Sequence, residues 1–136
     1  MDTVSKARRS EIMSRIRSKD TVPEMKVRSL VHRLGCRFRL HRRDLPGTPD
    51  LVFPSRKMVV FVHGCFFHRH KDCKNATMPK TRREWWQAKL EGNAARDRRN
   101  RAALRRIGWK VVTVWECETE KPERLTRRLA RLLSDF

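Results

Sequence analysis

Residues 58 to 73 read MVVFVHGCFFHRHKDC. The opening run, Met58-Val59-Val60-Phe61-Val62, is apolar without interruption and of strand length, which predicts a buried strand. Its far end carries three of the five histidines, two of the four cysteines and the adjacent pair Phe66 and Phe67. Soft sulfur and imidazole donors this close together suit zinc. The other segments are read as serving this strand and its loop.

Working back from the strand, Pro54-Ser55-Arg56 reads as a turn and Leu51-Val52-Phe53 as a second strand. The turn-rich Leu45-Pro46-Gly47-Thr48-Pro49 delivers Asp50 to that strand's start. Cys36 to His41, with Phe38 and Leu40 alternating against arginines, predicts a half-exposed strand and an antiparallel meander of three. Thr21-Val22-Pro23-Glu24 has the form of a capping box. Behind it Val27, Leu30, Val31 and Leu34 recur at helical spacing, and Gly35 supplies the stop. Ser5 to Arg17 reads as a short basic helix or arm bearing Met13. Downstream, Thr81-Arg82-Arg83-Glu84 has the form of a second capping box, opening a polar helix over 82–107. Gly92-Asn93 is a candidate kink in that helix and Gly108 its end. A strand over 109–115 and a helix carrying Leu125, Leu129, Leu132 and Leu133 complete the order. With no repeat and no linker in evidence, residues 1–136 are expected to form a single domain, with 1–18 as its basic arm.

Charge identifies the class of partner. Lys and Arg number 34 against 15 acids, a net +19, and a surplus of this size implies a polyanion such as nucleic acid. Clear apolar periodicity and four tryptophans argue against a disordered basic chain. No apolar run of membrane-spanning length and no secretory segment is present, so the chain is expected to be soluble and intracellular, with no membrane partner. In a reducing compartment its cysteines point to metal or packing before disulfides.

Cys65, His70 and Cys73 are separated by four and then two residues, and Cys117 follows the last strand. Three cysteines and one histidine make the closed, tetrahedral donor set of a structural zinc site, which would pin the loop to a distant strand. Cys36 is expected to serve packing. Asp50, at a strand start, is either an ordinary turn aspartate or a ligand for a hard cation such as magnesium. His63 would lie near it across the turn, and with His68 offers a general base, an acid or phosphate contacts. Phe66, Phe67, Trp85 and Trp86, and more weakly Met13, are candidates to stack on bases or wedge a duplex; the plainer alternative is that some face the core.

In order along nearly the whole chain, the basic helix with Met13, Glu24, Pro-Gly-Thr-Pro-Asp, Phe-Val-His-Gly-Cys-Phe-Phe-His, Thr-Arg-Arg-Glu-Trp-Trp, Arg-Asp-Arg-Arg and Val-Trp-Glu-Cys resemble the very short patch repair (Vsr) endonuclease family. The resemblance implies a restriction-endonuclease-like α/β fold, a mixed sheet flanked by helices with a structural zinc site. It implies a monomeric, magnesium-dependent enzyme that nicks DNA 5′ of the thymine in a T:G mismatch left by deamination of 5-methylcytosine. Asp50 and the backbone carbonyl of Val62 match the magnesium ligands, His68 the residue that activates water, and His63 a second essential histidine. Glu24 matches an acid near the active site. Cys65, His70, Cys73 and Cys117 match the zinc ligands. Phe66, Phe67 and Trp86 match an aromatic wedge, and Met13 a residue entering from the minor groove. Cooperation with mismatch-recognition proteins and a DNA polymerase, and a bacterial, cytoplasmic, nucleoid-associated setting, are likewise implied by the family.

Three features depart from familiar patterns. Phe67 stands where relatives carry tryptophan, and the segment between His70 and Cys73 is one residue longer. The acid-x-lysine pair of ordinary restriction endonucleases is absent, since Phe61-Val62-His63-Gly64 occupies the strand. A non-catalytic zinc-stapled DNA-binding module and a nickase without mismatch selectivity are the rival functions.

Overall fold

A computed structural model of the chain describes residues 20–134. The basic arm and Met13 lie outside the described residues. Among the described residues three helices, α1 (Val22–Arg33), α2 (Arg83–Arg106) and α3 (Pro122–Leu133), surround four strands, β1 (Arg39–Leu40), β2 (Leu51–Phe53), β3 (Met58–His63) and β4 (Lys110–Trp115). The sheet order is β1-β2-β3-β4. The first three strands form the expected antiparallel meander, with Leu51 opposite Val60. β4 runs parallel to β3, Met58 opposite Lys110 and His63 opposite Trp115. Parallel neighbours need a crossover, and here the histidine-cysteine loop and α2 supply it.

The continuous apolar reading of β3 has a structural reason. Alternate residues face opposite ways, and helices cover both faces. Leu51, Phe53, Met58, Val60, Val112 and Val114 pack with Val27, Leu30 and Val31 of α1 and Leu125, Leu129 and Leu133 of α3. Val52, Val59 and Phe61 pack on the other face with Leu45, Leu104 of α2 and Trp109. At roughly 1.5–3 kcal/mol for each large apolar side chain fully buried, these layers supply the main drive for folding. Among the described residues no helix is long and apolar enough to cross a membrane.

Helix α1 begins as its sequence indicates. The Thr21 hydroxyl accepts the Glu24 N–H at 3.4 Å, but the Glu24 carboxylate takes the N–H of Asp20 at 3.3 Å, one residue before the cap. It ends in paired bonds, Gly35 N–H to His32 and Cys36 N–H to Val31, with Gly35 at φ +77°.

Three local expectations are corrected. The strand predicted over 36–41 shrinks to Arg39–Leu40, both exposed. Cys36 belongs to the turn after α1, where it packs beside the core. Helix α2 is not opened by a Thr81 capping box: Arg82 is the N-cap, in the left-handed region at φ 54°, with no side-chain cap bond. Nor does Gly92-Asn93 break α2, which runs 24 residues without interruption. One glycine costs about 1 kcal/mol in a helix, and Leu90 and Leu104 anchor α2 on either side of it.

Candidate active site and metal centre

Strand parity and register bring the candidate residues together. Val52 faces the α2 layer, so Asp50, two residues earlier, starts on that same side, and so do Phe61 and His63 of β3. One pair beyond the β2–β3 ladder, an Asp50 carboxylate oxygen accepts the Val62 N–H at 2.7 Å. The loop before Asp50 approaches α2 closely at Gly47. A Cβ there would lie 2.9 Å from Asn100 Nδ2 and 3.0 Å from its Cβ, and φ is +77°. Only glycine satisfies both conditions without displacement.

Asp50, His63, His68, Phe66, Phe67 and Glu24 all line one cavity of about 1080 Å³. His63 and His68 stack face to face, ring centroids 3.8 Å apart with 4° between planes. His68 Nδ1 lies 2.7 Å from an Asp97 oxygen. His63 is buried, packed against Trp115 and Phe61 at 5.5 Å each, and its Nδ1 has no hydrogen-bond partner among the described residues.

Burial is the largest influence on both titrating groups at the centre. It pushes Asp50 up to about 7, helped by the charge and hydrogen bonding of Glu24 and opposed by the Val62 N–H. Burial also pushes His63 down to about 3, with the facing His68 adding to it. Asp97 is raised by burial, but the hydrogen bond and charge of His68 outweigh that, and its net shift is downward.

Glu24 is the hub of the acidic side. Only 2% exposed, it pairs with Arg28 and lies 2.8 Å from His41 Nε2. Arg28 also binds Asp20. Asp20, Glu24 and His41 form a group with metal-binding spacing, but the Arg28 guanidinium already sits against both of its carboxylates. Asp50, raised in part by the charge of Glu24, is the other acid of this region able to take a divalent cation, whose charge would displace its proton.

The second donor set is the one the spacing indicated. Ligand atoms of Cys65, His70, Cys73 and Cys117 lie within 4.8 Å of one another. His70 Nδ1 faces Cys117 Sγ at 3.5 Å, and its ring stacks on Trp115 at 4.1 Å. Arg69 and Asp72, at φ 51° and 58°, turn the loop around the cluster. On the other segment, Arg128 clamps Glu118 through contacts of 2.8 and 2.9 Å and also reaches the Thr113 carbonyl. That holds the turn bearing Cys117 against α3. Burial pushes the Cys65 thiol up to about 12, so a metal would have to take the thiol's proton as it binds. A tetrahedral thiolate–imidazole ion fits these four residues.

The aromatic candidates form a chain of edge-to-face contacts. Phe67 meets Phe66 at 5.1 Å, Phe66 meets Trp86 at 5.2 Å, and Trp86 meets Trp85 at 4.9 Å. Neither phenylalanine is buried in the core. Asn93 Nδ2 donates to the Phe67 carbonyl at 3.0 Å, tying this loop to α2.

Arg96 and Asp97 appear in the sequence only within the Arg-Asp-Arg-Arg piece of the resemblance, with no role attached, and His41, Lys89 and Arg101 carry no sequence signal of their own. A signal for Asp97 was nevertheless present. It lies seven residues from both Leu90 and Leu104, the two buried residues of α2, and therefore on their inward face. Lys89, Asn93, Arg96, Asn100 and Arg101 share its stripe and line the cavity.

Residues 1–75 match the family model described as DNA mismatch endonuclease Vsr. The chain is 53% identical over 132 residues to "Type II nicking enzyme V.XorIIP" of Xanthomonas oryzae pv. oryzae, covering 97% of this chain and 96% of that one. It is 42% identical over 125 residues to "DNA mismatch endonuclease Vsr" of Escherichia coli K12, covering 92% and 80%. Against "Type II nicking enzyme V.NmeAIP" of Neisseria meningitidis serogroup A, identity is 38% over 135 residues, covering 99% and 96%.

Proposed function

The chain belongs to the Vsr family of DNA mismatch endonucleases, and from that premise we propose that it nicks duplex DNA 5′ of the thymine in a T:G mismatch. The observation that carries this reading is the convergence of Asp50, the stacked His63–His68 pair and Asp97 on one cavity beside the Phe66–Phe67–Trp86 chain. A binding module would have no use for a half-buried carboxylate with a raised pKa next to an oriented imidazole.

In this reading residues 1–136 form one endonuclease domain of restriction-endonuclease-like type, acting as a monomer. Asp50 and the Val62 carbonyl would hold magnesium, which supplies charge neutralisation on the phosphate and acidification of water. Asp97 fixes the proton of His68 on Nδ1, leaving Nε2 to take the proton of the attacking water. His63, held neutral by burial, presents a hydrogen bond to the phosphate or its water without adding a charge. Glu24, held by Arg28 and His41, would stand beside Asp50 and set its charge environment. Zinc at Cys65, His70, Cys73 and Cys117 would staple the loop that carries both histidines. Phe66, Phe67 and Trp86 would wedge beside the mismatch, where a wobble pair opens more readily than a matched one.

The test is single-turnover nicking of an end-labelled T:G duplex with magnesium, beside its T:A twin, by wild type and Asp50→Ala. A nick 5′ of the thymine, absent from the twin and reduced by at least about 10³-fold in the mutant, is expected. Binding without cleavage by metal-loaded wild type, across flanking contexts, would leave only the binding-module reading. Equal cleavage of both duplexes would remove the mismatch selectivity.

A further inference from the structure

The aromatic chain does not end at Trp86. Its outermost ring, Trp85, is 45% exposed. The Arg82 guanidinium stands over that ring at 4.6 Å and the Lys89 ammonium at 5.7 Å. Residues 82 and 89 lie three before and four after Trp85, so all three occupy one helix face. Among the described residues neither cation has an ion pair or a side-chain hydrogen bond, although Glu84 and Glu91 are nearby in sequence. Lys89 also lines the cavity, so this face is continuous with the site of Asp50 and His68.

A solvated cation normally swings freely. These two are drawn to an indole that packs edge-on against Trp86, which gathers a pair of positive charges beside the aromatic wedge. We propose that Arg82, Trp85 and Lys89 form a backbone-gripping shelf whose occupant is the sugar–phosphate strand of duplex DNA next to the mismatch. Arg82 and Lys89 bind its phosphates, and the exposed part of Trp85 packs on the deoxyribose between them. The shelf rests on the reading that Phe66, Phe67 and Trp86 lie against the mismatched pair. Trp85 thereby has a task different from its neighbour Trp86. It supplies affinity and register and carries no information about the base pair.

Fluorescence anisotropy of labelled T:G and T:A duplexes, without added divalent ion and over a salt series, tests this. Wild type, Trp85→Ala, Trp85→Phe and the double variant Arg82→Gln/Lys89→Gln are compared, with thermal melting as a check on folding. The double variant is expected to lower the slope of log affinity against log salt by about two, one for each phosphate released. Trp85→Ala should weaken both duplexes about equally, by roughly tenfold, and lower the slope in the same direction, while Trp85→Phe recovers most of it. An unchanged slope in the double variant overturns the shelf, and that variant decides the matter if Trp85→Ala fails to fold. Loss of the T:G over T:A preference in Trp85→Ala with the slope intact also overturns it, because Trp85 would then be part of the wedge. A wild type that binds both duplexes equally would instead count against the mismatch reading, and the slopes would still decide the shelf.

Discussion

Among single side chains, Asp97 shows how much one hydrogen bond can set. His68 has two ring nitrogens, and the 2.7 Å contact at Nδ1 gives the proton to that side. Asp97→Asn keeps the shape but offers an amide that can satisfy Nδ1 in either tautomer. Single-turnover nicking is expected to slow by about 10²–10⁴-fold, with DNA affinity and melting temperature close to wild type. If the rate stays within a few-fold of wild type, His68 is not the base or Asp97 does not orient it. Sequence alone made Asp50, His63 and His68 legible because they cluster at strand ends and in a short loop. Asp97 reaches the site through the turn of a long helix from 29 residues away in sequence. Its polar neighbours, four of them arginines between 96 and 101, make that helix look uniformly solvated. His41 and Arg28 owe their place to a different cause, contact with buried Glu24, which no local pattern signals.

Between elements, the decisive device is the Cys/His cluster that joins the β3 loop to the turn after β4. The strands, helix α1 and the donor set were readable because each follows a local rule: apolar runs, a Thr21 cap, close ligand spacing. The opening of α2 was not, since Thr81-Arg82-Arg83-Glu84 satisfies the capping pattern while the left-handed Arg82 stands at the N-cap without a side-chain cap bond. The short β1 has a similar cause. Phe38 turns inward against Phe53 at 6.2 Å, and the left-handed His41 ends the pairing. If the cluster holds a metal, Cys73→Ser should lose it and also lose about 3 kcal/mol of stability, or roughly 10 °C in Tm. Metal content and thermal melting of the purified variant check this. A variant with wild-type Tm and nicking rate would show that the loop needs no staple.

For the whole domain, the pH dependence of stability tests the electrostatics of the centre, measured without added divalent ions. His63 has a folded pKa near 3, below its ordinary 6.5. Between those values the unfolded chain binds a proton that the folded one refuses. Its contribution is therefore intact above pH 6.5 and is lost as pH falls, by up to about 1.4 kcal/mol per unit. Asp50 works in the opposite sense, with a folded pKa near 7 against an ordinary 3.8. Between pH 7 and 3.8 the folded protein holds the proton more tightly, so acid stabilises it. The two windows nearly coincide, and wild type is expected to change little in stability between about pH 6.5 and 4. Below that range the Asp50 gain is exhausted while the His63 loss continues. The lowered Asp97 then adds its own loss as it protonates. Asp50→Asn removes one side of this balance and should expose a steep loss of stability from pH 6.5 downward, close to one proton per molecule. Urea unfolding of both proteins across that range measures the difference. Parallel profiles would mean that Asp50 holds no proton in the folded state across this range. The expectation for magnesium binding would change with that result, because a site that holds a proton at neutral pH must release it to take a cation, whereas two ionised carboxylates would bind without that competition.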